Sequence, residues 1–157
     1  IEYADEHDRP LLIAPPSEAF PLRRKAVGAV LCDRRGRAFV RRRASERGVE
    51  TWDISAETYV RSGEAREEAV GRAVRETLGL SNVPFGEAVP AAFKPAGGNV
   101  SLTLFLAELP GLLPPDSLRE GHFLDREELV GMAETFPDLF SPVLLWAIGT
   151  GCLWKRR

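Results

Sequence analysis

The stretch Trp52–Leu80 reads WDISAETYVRSGEAREEAVGRAVRETLGL, and its central part has the periodicity of an amphipathic helix. Charged side chains fill one side of this pattern, and aliphatic residues recur on the other at intervals of four, namely Val70, Val74 and Leu78. Gly79 stands where a left-handed C-terminal cap is expected, while Gly63 and Glu64 mark the entry. The pattern predicts one helix over residues 65–78.

The order of residue types in this stretch resembles the Nudix box, G-x5-E-x7-R-E-U-x-E-E-x-G-U, where U is a bulky aliphatic residue. The positions that match are Glu64, Arg72, Val74, Glu76, Gly79 and Leu80. The box is degenerate, because its opening glycine is Thr58 and two of its acids are Ala73 and Thr77. The resemblance implies an α/β fold, the Nudix α/β/α sandwich, in which helices flank a mixed β-sheet.

The substituted acids belong to the helix face on which the box holds Mg²⁺ or Mn²⁺. Such a cation neutralises phosphate charge during diphosphate cleavage and prefers carboxylate oxygens. Positions 73, 76 and 77 share one helix face, and Glu76 is the acid that remains there. The family resemblance therefore implies a weak hydrolase of nucleoside diphosphate derivatives. Its candidate catalytic acids are Glu76, Glu57 and Glu64, and its candidate metal ligands are Glu76 with Glu57 or Glu120.

A binding domain without turnover is the alternative hypothesis. Glu68, Arg72 and Glu76 form a charge ladder at intervals of four, which stabilises a surface helix by about 0.2–0.5 kcal/mol per pair without a metal. Arg72, which the family pairs with the acid at position 64, is then a brace between loop and helix, and Gly63 and Gly79 relieve backbone strain. Such a pseudoenzyme would bind a nucleotide, an isoprenoid diphosphate or a protein.

Candidates for substrate binding lie outside the helix. Arg41 and Arg42 end a predicted strand, where guanidinium groups can grip phosphates by paired hydrogen bonds. A basic run at a strand end, which here includes Arg43, is also typical of a solvated surface. Trp52 and Phe93 are the aromatic candidates for packing against a substrate base, and core packing is the alternative for an indole near a strand start.

Further elements are predicted on both sides of the helix. The strands are Ala26–Cys32, Arg37–Arg42, Ser101–Ala107 and one before the helix into which Trp52–Ile54 leads. Phe85–Phe93 is predicted as a strand interrupted by Gly86 and Pro90, as at a bulge or an edge. Two C-terminal helices are capped by Asp125 and Ser141. The family's further acid is either Asp116 or Glu120. A hairpin over residues 1–14 with the lead-in to residue 25 resembles the branch near isopentenyl diphosphate isomerase. The cysteine motif of the isomerases is not found, so isomerase activity is not predicted.

Length and charge restrict the class of protein. The chain has 157 residues, of which 44% are hydrophobic, and this predicts a single domain over residues 1–157. A net charge of -2 gives no reason to expect nucleic acid or a membrane as a partner. No apolar run approaches the roughly 18 residues of a membrane span. The sequence predicts a cytoplasmic protein with two free thiols and a small-molecule diphosphate or nucleotide as its partner, and it leaves a homodimer open.

Overall fold

A computed structural model describes residues 2–4, 10–13, 23–44, 48–96, 98–109 and 120–154, with side chains from residue 24 onward. The strands in these ranges are β1 (Glu2–Ala4), β2 (Pro10–Ile13), β3 (Arg23–Cys32), β4 (Ala38–Ala44), β5 (Glu50–Asp53), β6 (Ala56–Tyr59), β7 (Val100–Glu108) and β8 (Gly121–Leu124). The helices are α1 (Arg66–Leu78), α2 (Arg126–Thr135) and α3 (Pro142–Thr150). Short 3₁₀ turns follow at Pro137–Leu139 and Cys152–Trp154.

Strand β3 is the centre of the sheet. It pairs with β7 in parallel from Arg24 to Cys32, and with β6 and β1 in antiparallel orientation. Strand β4 meets β3 where Cys32 pairs with Ala38, and it then pairs antiparallel with β5 and β8. Parallel and antiparallel neighbours therefore meet on one strand, so the predicted mixed sheet is confirmed.

The sheet is covered by helices on both faces. Side chains alternate along β3, so that Val27 and Ala29 pack with α1 while Ala26 and Val30 pack with α2 and α3. The α1 face also buries Phe39, Val70, Val74 and Phe105, and the other face buries Leu104, Leu129, Leu144 and Ala147. This two-faced core confirms the α/β/α sandwich.

Helix α1 begins one residue after the predicted start and ends where predicted. Glu67 and Glu68 occupy its first turn, where negative charge complements the helix dipole. Gly79 caps the other end with a φ of 69°, and its N–H donates to the carbonyl of Arg75. The left-handed conformation explains the glycine, because a Cβ at this φ is sterically costly.

The interrupted strand predicted over Phe85–Phe93 is an irregular segment at an edge of the sheet and does not form a regular strand. This segment runs beside β7 and makes only two isolated bridges within the described residues, from Phe85 to Ala107 and from Phe93 to Leu102. The N–H groups of Gly86, Val89 and Phe93 donate to carbonyls of β7, but they are three and four residues apart, whereas a continuous antiparallel ladder needs a donor at every second residue. The apolar residues of this segment therefore cover an edge of the sheet without extending it.

The remaining predicted elements are present, except that the one strand predicted before α1 is two strands, β5 and β6, and that β8 is an additional strand. The N-terminal hairpin is present, because Tyr3 on β1 pairs with Leu12 on β2. Asp125 and Ser141 cap α2 and α3 as predicted. Strand β8 was not predicted, since its four residues are too short to show a period. None of the described helices has the length and apolar character needed to cross a membrane.

Candidate functional site

A cleft of about 770 Å³ opens on the face of the sheet opposite α1. Its floor and one wall are apolar and consist of Ala26, Phe93, Val100, Leu102, Phe140 and Val143. Its polar end is formed by Arg43, Thr51, Asp53, Glu57, Thr58 and Ser141. A cavity with an apolar wall and a few convergent polar groups is the usual form of a small-molecule site.

An ion-pair cluster occupies the polar end of the cleft. Arg43 Nη1 donates to Asp53 Oδ2 at 3.2 Å and also to Glu57 Oε1. The other oxygen of Asp53 accepts from Ser141 Oγ at 2.7 Å and from the backbone N–H of Ile54 at 2.8 Å. Asp53 thus connects β5 to the first turn of α3 and holds the guanidinium of Arg43 at the cleft.

Glu57 has an unusual environment for a carboxylate. Burial raises its pKa above the ordinary value of 4.5, and the negative charge of Asp53 raises it further. The guanidinium groups of Arg43 and Arg41 act in the opposite direction without cancelling the shift. The two arginines thus favour the ionised form of Glu57, while burial and the charge of Asp53 oppose it.

The box residues Arg72 and Glu64 form a bidentate pair on the other side of the sheet. Arg72 Nε and Nη2 donate to the two oxygens of Glu64, each at 3.0 Å. Arg72 also donates to Thr58 Oγ1 at 3.2 Å and to the carbonyl of Tyr59 at 2.8 Å. The hydrogen bonds from Arg72 lower the pKa of Glu64. Both oxygens of Glu64 are thus engaged in joining the loop that starts at Gly63 (φ 75°) to β6 and α1.

The face of α1 that would hold a divalent cation is poor in oxygen ligands. Ala73 is 1% exposed and packs in the core, and Thr77 is half-buried. The Glu76 side chain is 56% exposed, and its carboxylate lies 3.7 Å from Arg72 Nη1. Among the described residues, no group of three or more His, Cys, Asp or Glu side chains has a geometry that could hold a metal ion. Within the described part of the chain, the residues therefore do not fit the Mg²⁺ or Mn²⁺ that the family resemblance implies.

The other predicted acids do not join this face. Glu120 is exposed in the turn before β8, where its carbonyl accepts from the N–H of Arg42 at 2.8 Å. Asp116 lies outside the described residues. Glu57 and Glu76 belong to opposite sides of β6, since Glu57 lines the cleft and Glu76 neighbours Arg72. Their roles as catalytic acids or metal ligands stay predictions.

One of the predicted substrate-binding residues lines the cleft. Phe93 does so and packs against Trp146 with ring centroids 5.6 Å apart. Arg42 instead stacks on Trp52, with its guanidinium 5.0 Å from the ring centroid, and neither of them lines the cleft. Arg43 is the member of the basic run that does, although it was not singled out from the sequence. Successive side chains of a strand point to opposite faces of the sheet, so Arg42 and Arg43 lie on different faces, and this alternation could have distinguished them in the sequence.

Taken together, the sandwich and the helix-borne box define an α/β domain with a mixed sheet between layers of helices. The profile of the NUDIX domain family matches residues 22–144, which is most of the chain. The chain therefore belongs to the NUDIX domain family.

Solved structures agree with this assignment at the level of the fold. DR0079 from Deinococcus radiodurans is 20% identical, with a TM-score of 0.71 and coverage of 98% of each chain. The E. coli ORF135 protein is 20% identical, with a TM-score of 0.61 over 88% of this chain and 94% of that one. The MutT protein from Methanosarcina mazei Go1 is 20% identical, with a TM-score of 0.59 over 82% and 94%. No curated protein sequence matches the chain significantly.

Proposed function

We propose that this protein binds a nucleotide or another small-molecule diphosphate in the cleft and hydrolyses it only weakly. The observation that carries the proposal is the contrast between the two sites. The cleft keeps an aromatic wall and a guanidinium held at its polar end, whereas the α1 face keeps Glu76 beside Ala73 and a half-buried Thr77. Losing a single general base typically costs about 10²–10⁴ in rate, so weak turnover is expected from this face.

Ligand binding is tested at the aromatic wall. Replacing Phe93 with alanine removes an apolar surface on which a base can stack, and such contacts are worth about 1–3 kcal/mol per base. We expect Phe93→Ala to weaken the binding of nucleoside diphosphates by about tenfold in isothermal titration calorimetry. The matched control is Phe136→Ala, which truncates a 56% exposed phenylalanine outside the cleft and is expected to leave affinity unchanged. Equal losses in both variants would place the ligand elsewhere.

Weak hydrolysis is tested at position 77. Thr77→Glu restores one acid on the α1 face, and we expect it to raise the release of phosphate or monophosphate at least ~10-fold. The release is measured with nucleoside diphosphate derivatives and added Mg²⁺ or Mn²⁺. Thr77→Gln is the matched control, since it has the same shape without the charge, and no gain is expected from it. The proposal of impaired hydrolysis is wrong if the unmodified protein already turns over at the ~10 s⁻¹ common among enzymes.

Restoring the second acid is less informative because of where position 73 lies. Ala73 is packed against the apolar residues under α1, so a glutamate there would be placed in a core. Burial of an unpaired carboxylate raises its pKa and destabilises the fold. The free energy of unfolding of the double variant Ala73→Glu/Thr77→Glu is therefore measured beside its activity. A loss of activity caused by unfolding is then distinguished from a site that folds but does not catalyse.

A further inference from the structure

The guanidinium of Arg43 is fixed from behind by a buried acid. The Asp53 side chain is 4% exposed, and both of its oxygens have partners, namely Arg43 on one side and Ser141 with the N–H of Ile54 on the other. The Arg43 side chain is itself 51% exposed and lines the cleft. Arg43 is thus a positioned cation with an accessible surface, which is the form of group that binds phosphate oxygens.

Glu57 accepts a hydrogen bond from the same guanidinium on the side that faces the cleft. Its Oε1 accepts from the Nη1 that also donates to Asp53, and its side chain is 29% exposed. Arg43, Asp53 and Glu57 together have a formal charge of −1, and removing the Glu57 charge would make these three groups neutral; the guanidinium of Arg41 also acts on Glu57. An incoming phosphate must therefore approach the like charge of Glu57, and it can accept from Arg43 Nη1 only by displacing Glu57 from that nitrogen.

We propose that Glu57 is an internal competitor for Arg43 and thereby determines how tightly the cleft binds anionic ligands. This inference rests on the proposed function, because it concerns the same cleft and the same class of ligand. Asp53 is the positioning residue of this arrangement, since it holds Arg43 in place whether the outer partner is Glu57 or a phosphate. In the ligand-free protein Glu57 occupies Arg43 Nη1, and a phosphate that binds this nitrogen exchanges one acid partner of Arg43 for another.

The inference is tested by calorimetric titration of the full chain with inorganic pyrophosphate and with ADP, in buffer that contains a chelator. Glu57→Gln is expected to bind both ligands about tenfold more tightly than the unmodified protein, because the competing charge is gone. Adenosine, which has no charge, is expected to bind both proteins equally. Glu68→Gln removes a charge from the exposed first turn of α1 and is expected to change nothing.

A double-variant cycle shows whether Glu57 acts through Arg43. In an Arg43→Gln background, Glu57→Gln is expected to give a much smaller gain, because the guanidinium for which it competes is missing and only the like-charge repulsion is relieved. The side-chain NMR signal of Arg43 Nε–H gives a second readout, and it is expected to shift on pyrophosphate addition and on Glu57→Gln alone. Glu57→Ala repeats the measurement in a form that has no hydrogen-bonding side chain at all.

The possible results separate this inference from the proposed function. If the unmodified protein binds ADP and the Glu57 variants bind it no more tightly, the competitor role is overturned while the proposed function stands. A gain of the same size without Arg43 also overturns it, since the whole effect is then one of general repulsion. If neither the unmodified protein nor the Glu57 variants bind either ligand, both proposals fail. Binding that appears only in the Glu57 variants supports the inference.

Discussion

Replacing Arg72 with methionine is expected to destabilise the fold by about 3–5 kcal/mol, because it removes the charged partner of an acid with little solvent access and leaves that acid the backbone N–H of Arg61. The side chains of Arg72 and Glu64 are 9% and 13% exposed, so water screens the pair weakly. The substitution also removes the donor to the carbonyl of Tyr59 and to the Thr58 hydroxyl. Urea unfolding followed by circular dichroism measures the change.

The matched control for this prediction is another arginine of the same helix. Arg75 is exposed in the last turn of α1, where a cation interacts favourably with the helix dipole. Arg75→Met is therefore expected to cost less than about 1 kcal/mol. Similar losses in the two variants would mean that the bidentate pair does not stabilise the fold more than a surface charge does.

Acid gives an independent test of the same pair. The pKa of Glu64 lies below the ordinary 4.5 in the folded protein because Arg72 donates to its carboxylate. A group with a lowered folded pKa contributes stability that is complete above its unfolded pKa and is lost as the pH falls through its folded pKa. The unmodified protein should therefore lose this stability on acidification below about pH 4.5, and Arg72→Met should lose less over the same interval. Parallel pH profiles would contradict this account.

The parts of the fold that follow from local signals were predictable from the sequence. Helix α1 has a period, acids at its start and a glycine at its left-handed end, and each of these is a property of residues close together in the chain. Asp125 and Ser141 predict the starts of α2 and α3 from equally local information, since a capping side chain accepts a hydrogen bond from the N–H three residues ahead.

The parts that depend on distant partners were not predictable. The segment Phe85–Phe93 has the apolar content of a strand, but strand formation depends on a continuous row of donors that meet β7. The polar end of the cleft depends on a hydrogen bond between Ser141 and Asp53, which are 88 positions apart. No local pattern reports such a contact, and so Arg43 was grouped with its neighbours as a basic run.

Replacing Gly121 with alanine is expected to destabilise the fold by about 3 kcal/mol, and the effect reaches the cleft. A Cβ at this position would lie 2.5 Å from the carbonyl oxygen of Val40 and in collision with the Phe39 ring. A backbone atom cannot rotate away as the end of a side chain can, so β8 must separate from β4. The control is Gly131→Ala in the exposed middle of α2, where a Cβ meets nothing within 4 Å.

The two alanine substitutions are expected to change the free energy of unfolding in opposite directions. Gly131→Ala should stabilise the protein by about 0.5–1 kcal/mol, because alanine restricts the unfolded chain and favours a helix. Gly121→Ala should also weaken pyrophosphate binding, since Gly121 pairs with Arg41 and the preceding carbonyl binds the N–H of Arg42. These contacts fix the position of the C-terminal end of β4, from which the side chain of Arg43 extends into the cleft. If Gly121→Ala lowered stability but left affinity unchanged, Arg43 would be held by Asp53 alone, and β8 would have no part in positioning it.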